Sequence, residues 1–144
     1  MIYASNFSVG VQLFFALNKK LASLMSKHTD YNCELNEIHH IHKKDAPSGT
    51  AITLAQDILH LNSRYIQWTL NETKLITDLN IQSERIDGVV GTHVVSYTSL
   101  IDQIEIKHEA YSRQGFALGA VIAAEWLPGK KGVYTMSDVL GIVD

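Results

Sequence analysis

The sequence predicts an α+β domain in which helices pack on one face of a mixed β-sheet. Three observations carry that expectation: an amphipathic stretch from Val9 to His28, alternation of apolar and polar residues from Cys33 to His40 and from Ile101 to His108, and an order of helix, strand, helix, a run of strands, then helix. A chain of 144 residues has the usual size of a single core. With 46% apolar and 19% charged residues it can bury enough surface to offset chain entropy, which argues against disorder.

Residues 2–5 are too short to be more than the tail of a strand, and Asn6 or Ser8 offers a side-chain oxygen to cap the helix that follows. Within that helix Val9, Leu13, Phe14, Leu17, Leu21, Leu24 and Met25 recur at spacings of three and four, which predicts the buried face. A half-buried strand over 33–40 ends among histidines. The polar loop His42 to Thr50 then leads into a second helix, which Ser48 or Thr50 can open and whose apolar face is Ala51, Leu54, Ala55, Ile58, Leu59 and Leu61. From Asn62 to Leu79 no period wins, leaving a connection with one short strand around 65–70. Strands follow over 81–86, 91–98 and 101–108, the last two linked tightly enough to pair antiparallel. A final helix from about Gln114 to Leu127 stops at Pro128 and Gly129, and a helical turn follows near 136–140.

The formal net charge is −3 with a pI near 6.1, so the molecule has no overall basic field, and no nucleic-acid or membrane partner is expected. No apolar run approaches the roughly 20 residues that span a bilayer, and the first residues lack the layout of a signal peptide. Cys33 is the single cysteine, which excludes an intrachain disulfide and a paired-cysteine metal or redox motif. A cytoplasmic address is the expectation.

Chemistry concentrates in one segment. Three of the seven histidines, His39, His40 and His42, fall within four residues and are followed at once by Lys43 and Lys44. On a continuous strand His40 and His42 would face one side and His39 the other, so a bend is needed to gather them. Two chemistries compete. A histidine titrating near neutrality can act as general acid beside a lysine that fixes an anion. Alternatively, His40 and His42 could ligate zinc with Asp45 or another carboxylate nearby, although the neighbouring ammonium groups oppose a dication and favour a carboxylate or phosphate. Downstream, Pro47-Ser48-Gly49-Thr50 enters a helix whose N-terminus presents unpaired N–H groups. Gly49 permits close approach there, and Ser48 and Thr50 add hydroxyl donors.

The run from His39 to Ala51, His-His-Ile-His-Lys-Lys-Asp-Ala-Pro-Ser-Gly-Thr-Ala, closely resembles the signature of the 4-hydroxy-tetrahydrodipicolinate reductase (dihydrodipicolinate reductase) family. Asn6-Phe7-Ser8-Val9-Gly10 resembles that family's domain-joining segment. Further matches are Arg85, Gly88 to His93, His108, Ser112-Arg113, Phe116-Ala117 and Gly119-Ala120. The resemblance implies a fold like the family's C-terminal domain and a reduction of a cyclic imine to tetrahydrodipicolinate by NADPH or NADH, in the diaminopimelate route to lysine. It implies His39 and Lys43 as proton-transfer residues, and His40, Ser48, Gly49 and Thr50 as substrate contacts. It further implies that Ala4, Ser5, Asn6 and Phe7 lie along the nicotinamide cofactor, with no metal.

The same resemblance implies a preceding Rossmann domain, and none of the nine glycines here forms G-x-G-x-x-G, so that domain is expected to be absent from this sequence. The expected organisation is a substrate-binding and oligomerisation domain over 1–114 and a helical segment over 115–144 that in the family packs on the nucleotide domain. Val121, Ile122 and Trp126 are then expected to lack their partner face. Two functional readings follow. In one, the chain binds a small dicarboxylate and donates a proton as part of a homotetrameric reductase, without hydride transfer of its own. In the other, it is a non-catalytic homo-oligomeric module for dicarboxylate binding and assembly.

Overall fold

The computed structural model describes residues 1–143. Helix α1 spans Val9–Met25, β1 Asn32–His39, α2 Gly49–Leu61, β2 Gln67–Leu70, β3 Asp78–Arg85, β4 Gly91–Thr98, β5 Gln103–Ala110, α3 Gln114–Trp126 and α4 Met136–Leu140. The five strands form one mixed sheet in the order β2-β3-β1-β4-β5. β1 and β2 each run parallel to β3, whereas β4 lies antiparallel between β1 and β5. The α+β expectation holds, and the elements lie within a few residues of their expected bounds.

Register makes the sheet two-sided. Leu35 pairs with Ile81 on one neighbour and with Val95 on the other, while Cys33 pairs with Tyr97. These side chains share a face with Leu79 and are buried beneath Phe14 and Phe15 of α1 and Leu54, Ala55 and Ile58 of α2. Glu34, Asn36, Asn80, Gln82, Glu105 and Lys107 alternate onto the opposite face.

α1 is rotated from the face its leucines predict. Leu13, Leu17 and Leu24 are each about half exposed, whereas Val11, Phe14, Phe15, Asn18, Ala22 and Met25 turn inward. Asn18 has no exposed surface, and its Nδ2 donates to the Leu54 carbonyl at 3.2 Å, which ties α1 to α2 through a main-chain acceptor. Ser8 caps the helix, its hydroxyl accepting from the Val11 N–H. The last strand is likewise displaced. Ile101 belongs to the β4–β5 turn, where the Ser99 hydroxyl accepts from the N–H groups of Ile101 and Asp102, both at 3.1 Å.

Residues 115–143 return to the N-terminus; Asp144, the end of the segment expected over 115–144, lies outside the described residues. Tyr134 donates to the Met1 carbonyl at 2.8 Å and accepts from the Tyr3 N–H at 3.1 Å, so Ile2 forms an isolated bridge and not a strand end. Trp126 is not left bare as expected: Tyr134 stands edge-on to it at 5.0 Å and the Lys130 ammonium lies 4.3 Å from its ring centre. Ile122 is half-buried, and Val121 does remain exposed. Gly119 lets α3 touch the chain just ahead of α1, since a Cβ there would stand 1.7 Å from the Phe7 carbonyl oxygen.

That contact yields a stability test. Gly119→Ala should lower the urea unfolding midpoint by an amount worth about 1–3 kcal/mol, the usual cost of overpacking. Gly115→Ala is the control: its Cβ would meet only the Ser8 hydroxyl at 3.5 Å, and the variant should gain from the better helix former. Equal midpoints for the two variants would contradict the packing described.

Candidate functional site

β1 keeps its alternation past the point where its apolar residues end. Leu35 is followed on the core face by Glu37 and His39, so a carboxylate and an imidazole enter the buried layer at the strand's C-terminal end. Glu37 pairs laterally with Ser83 on β3 and with His93 on β4, and His39 pairs with Arg85. The polar end of the core is thus assembled from three adjacent strands.

Glu37 has no exposed surface and is heavily hydrogen-bonded. Its Oε1 accepts from the Ser83 hydroxyl at 2.6 Å, from Arg85 Nη1 at 3.1 Å and from the Ser48 N–H at 3.3 Å. Its Oε2 holds His39 Nδ1. Burial pushes the carboxyl up, but the hydrogen bonds from His39, Ser83 and Arg85 outweigh it and bring the value down to about 2. Glu37, His39 and His93 stand close enough together to resemble a metal site. Here, however, the Arg85 guanidinium already supplies positive charge to the carboxylate. The zinc alternative of His40, His42 and Asp45 finds a different arrangement, with Asp45 ion-paired to Lys43 at 2.9 Å and the two rings tilted 6.1 Å apart.

β1 stops at His39, and a turn closed by the Lys43 N–H on the His40 carbonyl at 3.1 Å redirects the chain. This turn is the bend that gathers His39, His40 and Lys43. Arg85 pins it from β3, donating from Nη2 to the Asp45 carbonyl at 2.6 Å and from Nε to the Lys43 carbonyl at 3.4 Å. The Ala46–Pro47 peptide is cis. Ser48 then caps α2, its hydroxyl accepting from the Ala51 N–H at 3.1 Å and lying 2.9 Å from His93 Nε2. A Cβ at Gly49 would meet nothing within 4 Å, so α2 is open to an approaching group at its first residue.

These pieces surround one cleft of about 430 Å³. His39, His40, Lys43, Ser48, Gly49 and Thr50 line it, as do Ser5 and Asn6 from the N-terminal segment. Ala4 and Phe7 do not; Phe7 instead lends its carbonyl to the close approach of Gly119. Val90, Arg113 and Phe116 complete the wall. Arg113 Nη2 reaches to 3.4 Å from His40 Nε2, and burial and then the Arg113 charge hold His40 below the usual histidine value. His93, buried behind the cleft, is brought down to about 3 by burial and then by His39, so it is neutral at physiological pH. Its ring stands edge-on to His39 at 5.1 Å. The arrangement offers donors and positive charge to an anion, with a carboxylate-bound imidazole beside them.

The histidine cluster and the Ser-Gly-Thr turn stood out by composition alone. Glu37 did not, because a glutamate in an alternating strand reads as solvent-facing. Arg113, Arg85 and His93 came only with the family resemblance; each is far from the cluster in sequence, and only the sheet register and the return of α3 bring them to it.

Comparison with known proteins fits this geometry. A family model described as "Dihydrodipicolinate reductase, C-terminus" matches residues 10–140. The 4-hydroxy-tetrahydrodipicolinate reductase of Christiangramia forsetii is 57% identical over 139 residues, covering 96% of this chain and 58% of that protein. The protein of the same name from Methanosarcina barkeri is 40% identical over 144 residues, covering 98% and 54%. Among solved structures, a dipicolinate-bound dihydrodipicolinate reductase from Paenisporosarcina sp. TG-14 superposes with a TM-score of 0.71 at 26% identity, covering 99% of this chain and 54% of that one. The chain therefore spans a little over half the length of the relatives it matches.

The buried groups predict the pH dependence of stability. Folding resists protonation of His93, so its contribution is complete above the ordinary value of 6.5 and is lost as pH falls toward about 3. Half-buried His108, lowered by burial, acts in the same direction. The contribution of Glu37 is complete above 4.5 and is lost toward about 2. The urea midpoint should therefore fall between pH 7 and pH 4, and His93→Gln should flatten the part of that fall above pH 4.5. A midpoint independent of pH in this range would contradict the burial described.

Proposed function

Because this chain belongs to the family of dihydrodipicolinate reductase C-terminal domains, we propose that it is the substrate-binding and proton-donating part of a 4-hydroxy-tetrahydrodipicolinate reductase. The observation that carries this reading is the convergence of His39, Lys43, Arg113 and the first turn of α2 on one cleft. In this reading the cyclic imine substrate lays one carboxylate on the N–H groups of Gly49 and Thr50 and their flanking hydroxyls. The partial positive charge of a helix N-terminus favours an anion there, and Gly49 leaves room for it. Arg113 and His40, across the cleft, suit the second carboxylate of a diacid.

A bound NADPH or NADH would supply the hydride. Ser5 and Asn6 border the cleft and fit the edge of a nicotinamide, Asn6 being held rigid by the Ser8 N–H on its Oδ1 at 2.8 Å and by the Gln12 amide on its carbonyl at 2.6 Å. Ala4 and Phe7 would continue that edge along the chain. Among the described residues there is no glycine-rich turn between a strand and a helix for the pyrophosphate, so hydride transfer needs a nucleotide-binding half. Hydride addition leaves electron density on the ring, and His39 or Lys43 quenches it with a proton. Lys43 is available for this role because its ion pair with Asp45 is partly solvated and weak, and an entering carboxylate competes with it. Residues 1–114 serve in this reading as the substrate-binding and oligomerisation domain, and the segment from 115 onward as the face toward the nucleotide-binding half.

The same reading makes the chain one subunit of a cytoplasmic homotetramer. A second copy is supported as the occupant of the β4–β5 hairpin tip by Leu100 and Ile101, two adjacent aliphatic side chains left almost wholly exposed. It would extend onto the uncovered sheet face. No helix among the described residues is long and apolar enough to cross a membrane.

Calorimetry with pyridine-2,6-dicarboxylate tests the site. The chain should bind it, Arg113→Ala and Thr50→Val should each weaken binding about 10-fold or more, and pyridine-2-carboxylate should bind more weakly than the diacid. Absence of binding at millimolar ligand, or equal affinity for both acids, would overturn the reading. Sedimentation tests the assembly: a tetramer is expected at micromolar concentration, and Ile101→Asp should dissociate it. A wild-type monomer would remove the oligomer from the proposal.

A further inference from the structure

Glu37 does more chemistry than its burial requires. A carboxylate accepts hydrogen bonds only, and each of its oxygens here is committed. Oε1 faces two groups that can only donate, the Arg85 guanidinium at 3.1 Å and the Ser48 N–H at 3.3 Å, together with the Ser83 hydroxyl at 2.6 Å. Oε2 faces His39 Nδ1. The opposite edge of the His39 ring lies toward β4, where a Cβ added at Gly91 would stand 3.1 Å from Nε2 and 3.3 Å from Cδ2. His93 packs edge-on against the same ring, at 5.1 Å between centres. The ring is therefore gripped at Nδ1, supported on one side, and given room at Nε2 by the missing side chain of Gly91.

We propose that Glu37 is the positioning residue of the site: it fixes neutral His39 as the Nδ1–H tautomer, so that the proton exchanged with a bound ligand arrives at and leaves from Nε2. The proposal rests on the reading of His39 as a proton-transfer group. It also gives the Glu37 network a purpose beyond neutralising a buried charge. The same oxygen that takes Arg85 takes the Ser48 amide, so the orientation of the imidazole and the placement of the anion-binding turn are set by one side chain. Arg85 in turn holds the carbonyls of Lys43 and Asp45. Glu37 thus shares a rigid frame with both groups named as proton donors.

The donor count makes the effect of substitution specific. In Glu37→Gln the side chain keeps its size but has one acceptor oxygen and one amide nitrogen. Arg85 and the Ser48 N–H can only donate, so the oxygen must turn to them and the amide must point at His39 Nδ1. That forces Nδ1 to accept, and the neutral ring must carry its hydrogen on Nε2 instead. Nitrogen-15 NMR of the histidine-labelled chain reads this directly, at a pH where His39 is neutral. Wild type should show His39 protonated at Nδ1 and bare at Nε2, and Glu37→Gln should show the reverse. A wild-type ring bare at Nδ1 would overturn the proposal even if the variant failed to fold, and so would a folded variant that kept the wild-type tautomer. Pyridine-2,6-dicarboxylate binding by the wild-type chain separates this from the functional reading. Binding with the wrong tautomer removes the Glu37 assignment alone, whereas the right tautomer without binding removes the ligand.

Discussion

The site depends on a carboxylate buried at the end of a strand. An ionised glutamate without solvent costs several kcal/mol unless it is fully hydrogen-bonded, and few places in a small domain can supply that many donors. The C-terminal end of β1 can, because β1 is the strand at which the sheet changes from parallel to antiparallel pairing. Its parallel neighbour brings Ser83 and Arg85, its antiparallel neighbour brings His93 and Gly91, and the chain leaving it folds back as the start of α2. Ligand sites in open sheets that carry parallel strands gather at such ends for the same reason: loops and helix N-termini diverge there and leave a crevice.

Seen from that constraint, the connection between β1 and α2 is tied down more closely than a surface loop needs to be. Arg85 holds two of its carbonyls, Glu37 holds the Ser48 amide, and the Ser48 hydroxyl caps the helix while touching His93. Preorganisation of this kind matters where binding must hold reacting groups in place, because donors fixed before the ligand arrives need no reordering when it binds. α3 then closes the cleft with Phe116 and with Arg113 at its N-cap, and it can do so only because Gly119 lets it lie against the chain at Phe7.

Much of this was legible in the sequence, and the parts that were not share a cause. The element order, the strand alternation, the turn at Ser48 and the histidine cluster are local patterns, and local patterns survive into the fold. The inward face of α1 differs from the one its leucines predict, because the leucines are numerous and the contact with α2 is made by buried Asn18, whose partner is a main-chain carbonyl. Glu37 was hidden by the same kind of non-local demand. Apolar Ile38 beside polar Glu37 and His39 looks like a strand changing phase, whereas the phase is kept and the polar residues go inside. A run whose local preference conflicts with its placement is a common mark of a functional position, since the fold must offset the conflict elsewhere. Here the compensation comes from Ser83 and Arg85, 46 and 48 residues away in the chain, a separation that no window along the sequence spans.

The two histidines in edge contact show how such surroundings assign chemistry. His39 and His93 are the same side chain, adjacent across the sheet face, yet only one meets a carboxylate and the open cleft. His93 is buried, faces a hydroxyl and is held neutral down to about pH 3, so it has no proton to give near neutrality and serves as a wall and a hydrogen-bond partner for Ser48. His39 has a fixed hydrogen bond on one nitrogen and the cleft before the ring. Exchanging their environments would exchange their roles, because environment and not residue type decides which of two like groups handles a proton. Residue identity brings imidazoles to this region; the buried carboxylate of Glu37 on β1 decides which of them can act.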